Sequence, residues 1–128
     1  MANITLSSTA NRLRHRAAIR DFALTVDEPA ELGGTDAGPT PTELVFAGLG
    51  ACKAITLKMY ADRKGWPLKA VDADVETQQI DRHYRVVVRL QLTGELSEEQ
   101  TERLLAISNK CPVHKLLAPS AEIETVLV

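Results

Sequence analysis

The sequence predicts an α+β domain. Three observations carry this: a long apolar run opened by a helix-capping box, two neighbouring segments with strict alternation, and short strand-like segments near both ends. The 128 residues suit one domain, residues 1–128. Only 4% of residues are aromatic, so aliphatic side chains must build the core.

Residues 3–8 and 13–26 read as short strands, with a turn near Asn11. Ala18, Ile19, Phe22, Leu24 and Val26 supply their apolar side chains. Residues 27–39 are rich in Gly, Pro and Asp and have no hydrophobic period. Gly33-Gly34 without the lysine spacing of a phosphate loop reads as a connector.

Thr40-Pro41-Thr42-Glu43 is a capping box with proline at the first helical position. The helix is expected to run to about Lys64, with Gly65 as its left-handed cap and Pro67 blocking continuation. From Leu44 to Ala54 it is apolar on nearly every side except at Lys53, which predicts a central, buried helix. Trp66 should pack over the helix end, and Met59, on the stripe of Cys52, should be core or pocket wall.

Residues 69–78 alternate, with Val71, Ala73, Val75 and Thr77 opposite Asp72, Asp74 and Glu76. Residues 83–93 also alternate, with Tyr84, Val86, Val88, Leu90 and Leu92 opposite Arg85 and Arg89. An acidic face beside a basic one favours antiparallel pairing across a turn at 79–82. Ser97-Glu98-Glu99-Gln100 is a second capping box, opening a helix to about Ser108. Pro112 restarts a short helix through Leu117, and residues 121–127 close the chain as a strand.

The net charge of −2 argues against nucleic-acid binding, although Arg12, Arg14, His15, Arg16 and Arg20 are locally basic. No stretch reaches the roughly 18 apolar residues of a membrane span. The N-terminus lacks signal-peptide character. These features predict a cytoplasmic protein without a membrane partner. In that compartment a cysteine pair points to catalysis rather than to a structural staple.

The chain has two cysteines. Pro112 places Cys111 at a helix N-cap, where the dipole and free N–H groups lower a thiol pKa; Lys110 and Lys115 add positive charge. Cys52 lies about three turns into its helix, beyond reach of the dipole. It can act as a nucleophile only if a cation from elsewhere reaches it; otherwise it is a core residue. Glu43 lies on the opposite helix face from Cys52 and is occupied by the capping box. Cys111 and His114 have C-x-x-H spacing, which with Cys52 could supply three zinc ligands, or could form a nucleophile–base pair. His15 and His83 read as solvated strand residues.

Gly33-Gly34-Thr35-Asp36, Gly38-Pro39-Thr40-Pro41-Thr42-Glu43-Leu44, Gly50-Ala51-Cys52 and Asn109-Lys110-Cys111-Pro112-Val113-His114 together resemble the OsmC/Ohr family of osmotically inducible and organic hydroperoxide resistance proteins. Tyr60-Ala61-Asp62-Arg63-Lys64-Gly65-Trp66-Pro67-Leu68 is similar to the general OsmC-like branch. The resemblance implies antiparallel sheets wrapped around long central helices in an intertwined homodimer, with active sites at the subunit interface. It implies thiol-dependent reduction of organic hydroperoxides, an external dithiol reductant, and no metal or other cofactor. Cys52 resembles the peroxidatic thiol, Cys111 the resolving one, and Arg12 the activating arginine, with Arg14 or Arg20 as alternatives. An acid usual in the hydroperoxide branch is replaced by Thr42, with Glu43 one step on. The other reading open on the sequence is a non-catalytic stress-associated binding dimer with Cys52 as core.

Overall fold

Local chemistry sets most element boundaries. The computed structural model describes residues 3–128, which fall into two compact units, one ending at Val45 and the other running from Phe46 to Val128.

The first unit is an antiparallel meander of β1 (Ile4–Ser8), β2 (His15–Ile19) and β3 (Phe22–Val26), in the order β1-β2-β3. The span 13–26, read as extended, is broken by a tight turn at Arg20-Asp21, where Arg20 has φ 54°. Arg20 also stacks on Phe22, 5.0 Å from the ring centre.

Asp27 organises the loop that follows. It is 2% exposed. Its carboxylate accepts from the Thr35 hydroxyl at 2.6 Å and from the backbone N–H groups of Glu28, Thr35 and Ala37. The Thr35 bond leads in lowering its pKa to about 2, with the backbone donors adding to it and burial opposing. The loop also contains a short 3-10 turn at Ala30–Leu32.

Helix α1 spans Pro41–Lys64; its first five residues belong to the first unit and the rest to the second. The expected capping box is formed: the Thr40 N–H donates to Glu43 Oε1 at 2.8 Å and the Glu43 N–H donates to Thr40 Oγ1 at 3.1 Å. At the other end Gly65 has φ 70°, its N–H donates to Asp62 O, and the Trp66 N–H donates to Ala61 O. That is a Schellman closure. Trp66 packs edge-on against Tyr60, with ring centres 5.5 Å apart.

In the second unit β4 (Ala70–Ile80) and β5 (His83–Thr93) form a long antiparallel hairpin. Asp74 lies opposite Arg89, which pairs with both Asp74 and Glu76. After α2 (Glu98–Ser108) and α3 (Pro112–Leu117), β6 (Ala121–Leu127) pairs with β5 in parallel. The antiparallel expectation therefore fails at this pair. The two helices between β5 and β6 form the crossover that parallel strands require.

Val86, Val88 and Leu90 of β5 are fully buried, against Phe46, Leu49, Leu57 and Ala61 of α1 and Leu104 and Ile107 of α2. Helix α1 departs from the expectation of burial on all sides. Its inner face is Phe46, Leu49, Gly50, Lys53, Leu57 and Ala61, whereas Val45, Ile55 and Met59 are exposed in the single chain. Met59 is thus an outward residue and not core, and it meets the other half of the expectation as a wall of a surface pocket with Ile55 and Val71. An 18-residue window of α1 reaches a mean hydropathy of 1.3, so by length and composition it could cross a bilayer, contrary to the sequence reading. Its inner face, however, is built into the core of the second unit.

Candidate active site: two thiols beside a buried lysine

The most unusual side chain is Lys53. It is the charged residue of an otherwise apolar helical run, and it has no exposed surface. A buried ammonium is tolerable only if its protons are bonded. Lys53 Nζ donates to Ser108 O at 2.9 Å, contacts His114 Nδ1 at 2.9 Å and reaches Asn109 Oδ1 at 3.4 Å. Three acceptors match the three protons of an ammonium, which has none to accept with. While Lys53 is charged, His114 Nδ1 is the acceptor and the ring is neutral with its proton on Nε2. Burial, followed by the charge of Lys53, pushes the His114 pKa below its ordinary 6.5. Burial also lowers the Lys53 pKa, opposed by the charges of Cys111 and Cys52.

Cys111 is the N-cap of α3, as the sequence predicts. Its backbone is extended (φ −68°, ψ 144°) and its Sγ accepts from the His114 N–H at 3.3 Å. The cap does not make it an acidic thiol. Cys111 is wholly buried, and burial raises its pKa more than the His114 N–H and Lys53 lower it. Hydrogen bonding and charge from Cys52 raise it further. The expected help from Lys110 and Lys115 is absent, since both are exposed and the cation acting on Cys111 is Lys53.

Cys52 is half-buried and packs against the cluster that contains Cys111. Cys52 precedes Lys53 on α1 and Cys111 caps α3, so one apolar cluster joins the two cysteine positions. The His114 link to Cys111 runs through the backbone N–H, while Nδ1 of the ring is engaged by Lys53. The proposed nucleophile–base pair is accordingly not formed through Nδ1. Among the described residues no three His, Cys, Asp or Glu side chains are arranged to hold a metal, so Cys52, Cys111 and His114 are not a three-ligand zinc set.

The arginines belong to the first unit. Arg12 lies over Gly33, where an added Cβ would come within 2.6 Å of Nη2. Gly33 has φ 92°, so glycine suits it on both counts. Arg14 donates to Thr35 Oγ1 at 2.7 Å and lies 3.7 Å from Asp27. It is thereby committed to the loop, and Arg20 to its turn. Glu43 is held in the capping box. His15 contacts Leu13 O at 2.8 Å and His83 is exposed.

Sequence reasoning missed Lys53. The available signal was a single lysine interrupting an apolar helical run beside a cysteine.

The class is that of an α+β sheet-and-helix unit with one cysteine on α1 and another at the α3 cap. The family model described as OsmC-like protein matches residues 34–126, and the chain belongs to that family. Its structure is similar to an osmotic stress induced and detoxification response protein from Psychrobacter arcticus (17% identity, TM-score 0.88, covering 100% of this chain and 96% of the other). It is also similar to an OsmC-like protein from Mycoplasma pneumoniae (20%, 0.77, 100% and 97%). A third is the organic hydroperoxide resistance protein OhrB of Bacillus subtilis (17%, 0.72, 100% and 98%). These identities speak for a shared fold. No curated protein sequence matches.

Proposed function

We propose that the protein is a thiol-dependent peroxidase that reduces organic hydroperoxides. Cys52 attacks the peroxide O–O bond as a thiolate, giving Cys52 sulfenic acid and, after protonation of the alkoxide, an alcohol. The Cys111 thiol then condenses with the sulfenic acid, forming the disulfide and releasing water. An external dithiol returns both cysteines to thiols. The observation that carries this reading is that both free cysteines belong to one core, Cys111 buried within it and the half-buried Cys52 packed against it. Family membership and the hydroperoxide resistance name of a fold relative support it.

Residues 1–128 act in this reading as one cytoplasmic domain in a homodimer. The exposed apolar residues Val45, Ile55 and Met59 on α1 support a partner helix on that face. Arg12 is assigned as the activating arginine because Arg14 and Arg20 already have partners.

The test is stopped-flow reduction of cumene hydroperoxide with a dithiol. Wild type turns over, Cys52→Ser does not, and Cys111→Ser stops after one equivalent with a trappable sulfenic acid. Equal, slow rates in wild type and Cys52→Ser sink the reading. Complete burial of Cys111 favours a second reading, a non-catalytic binding dimer. It predicts a Cys52 inert to alkylation at neutral pH.

A further inference from the structure

We propose that Lys53 is a positioning residue for disulfide formation: its side-chain nitrogen brackets Cys111 in sequence and pins the α2–α3 corner to the helix that carries Cys52. The inference rests on the dithiol reading above and adds a role for a side chain that acts through the chain around Cys111.

The bracket is built from three contacts. Lys53 Nζ donates to Ser108 O at 2.9 Å, reaches Asn109 Oδ1 at 3.4 Å and contacts His114 Nδ1 at 2.9 Å. Ser108 and Asn109 precede Cys111 by three and two residues, and His114 follows it by three. One nitrogen on α1 therefore holds the last residue of α2, its C-cap and the first turn of α3. The His114 N–H donates in turn to Cys111 Sγ at 3.3 Å. The residue gripped through its ring is thus also the one that orients the sulfur. Lys53 itself follows Cys52 directly on α1.

The corner needs such a pin. Helix α3 has six residues, too few to hold itself in water. No residue of α3 is fully buried, and its packing on the core comes from the partly buried Val113 and Leu117. Lys53 Nζ is itself buried, so a bond released there is not replaced by water. The bracket does not depend on charge. As an ammonium Nζ donates three times; as an amine it donates twice and accepts from an Nδ1–H ring.

The two chemical steps make different demands on the corner. In the first, Cys52 and the peroxide react, and Cys111 takes no part. In the second, the Cys111 sulfur attacks the sulfur of the Cys52 sulfenic acid. The S–O bond breaks, the S–S bond forms, and the hydroxyl leaves with the Cys111 proton as water. Positional freedom of the attacking thiol lowers its effective concentration. Lys53 therefore bears on the second step and on the stability of the disulfide.

The experiment compares the steps in Lys53→Met, which keeps the length of the side chain and removes its bonds. Single-turnover stopped flow with cumene hydroperoxide should show the second step slowed about tenfold to a hundredfold more than the first. The equilibrium constant of the Cys52–Cys111 disulfide against glutathione should fall by a similar factor. Asn109→Ala, which removes the longest of the three contacts, should give a smaller fall in the same direction. Equal slowing of both steps marks a merely structural role and overturns the proposal, as does an unmoved equilibrium constant. If Lys53→Met does not fold, a crystal structure of the wild-type disulfide form decides. Nζ still bonded to Ser108 O and His114 Nδ1 supports the bracket, and Nζ withdrawn from them overturns it. The glutathione equilibrium needs no peroxide. A shifted constant without peroxide turnover in wild type removes only the peroxidase reading. Turnover with an unshifted constant removes only the bracket, and a wild type that forms no such disulfide removes both.

Discussion

The two faces of α1 reverse the usual assignment of polarity. The inner face buries a lysine completely, while the outer face leaves Ile55 and Met59 each 57% exposed. Burial here follows available partners more than side-chain polarity. Lys53 is inside because three acceptors await it. Ile55 and Met59 are outside because the single chain has nothing to cover them. The inner face is covered within one chain, and the outer face is left exposed in it.

The sharpest way to break this contrast is paired truncation. Leu57→Ala on the inner face should cost about 2–5 kcal/mol in urea unfolding. Ile55→Ala should cost under about 0.5 kcal/mol in dilute monomer. A large Ile55 penalty that grows with protein concentration would mean that the outer face is covered by a partner. Sedimentation of Met59→Lys sharpens the same point: a dimer through this face should dissociate, and an unchanged assembly would place the interface elsewhere.

The glycines give the next largest effect. A Cβ on Gly50 would lie 2.8 Å from Val75 Cγ2, so Gly50→Ala should cost about 1–3 kcal/mol from overpacking. Gly48 has open space around it, and Gly48→Ala should stabilise the chain by up to about 1 kcal/mol through helix propensity. Loss of stability at Gly48 would again indicate a close neighbour on the outer face.

The smallest effect is in pH. His114 is held neutral when folded, so the unfolded chain binds more protons below 6.5. Stability should fall as pH drops through 6.5 towards the lowered folded value, and His114→Gln should flatten that limb. Asp27 titrates lower. The stability it supplies is complete above 3.8 and is lost as pH falls towards about 2. Chemical denaturation at stepped pH would separate the two limbs.

What could be read from the sequence was local. Both capping boxes, the Gly65 closure and the Cys111 cap join residues within a turn of one another, and all formed as expected. Alternation in β4 and β5 likewise fixed their pairing. What escaped was non-local. The direction of the Cys111 pKa depends on burial that no neighbouring residue announces. The parallel β6 depends on where two intervening helices lead the chain. The break at Arg20-Asp21 has no glycine or proline to mark it.

The partners of Lys53 lie 55, 56 and 61 residues further along the chain. During synthesis the amine therefore emerges long before anything can receive its protons. An unassembled α1 keeps that amine in water, where a charge is welcome. Only when the α2–α3 corner is in place do its protons find the acceptors that make dehydration tolerable.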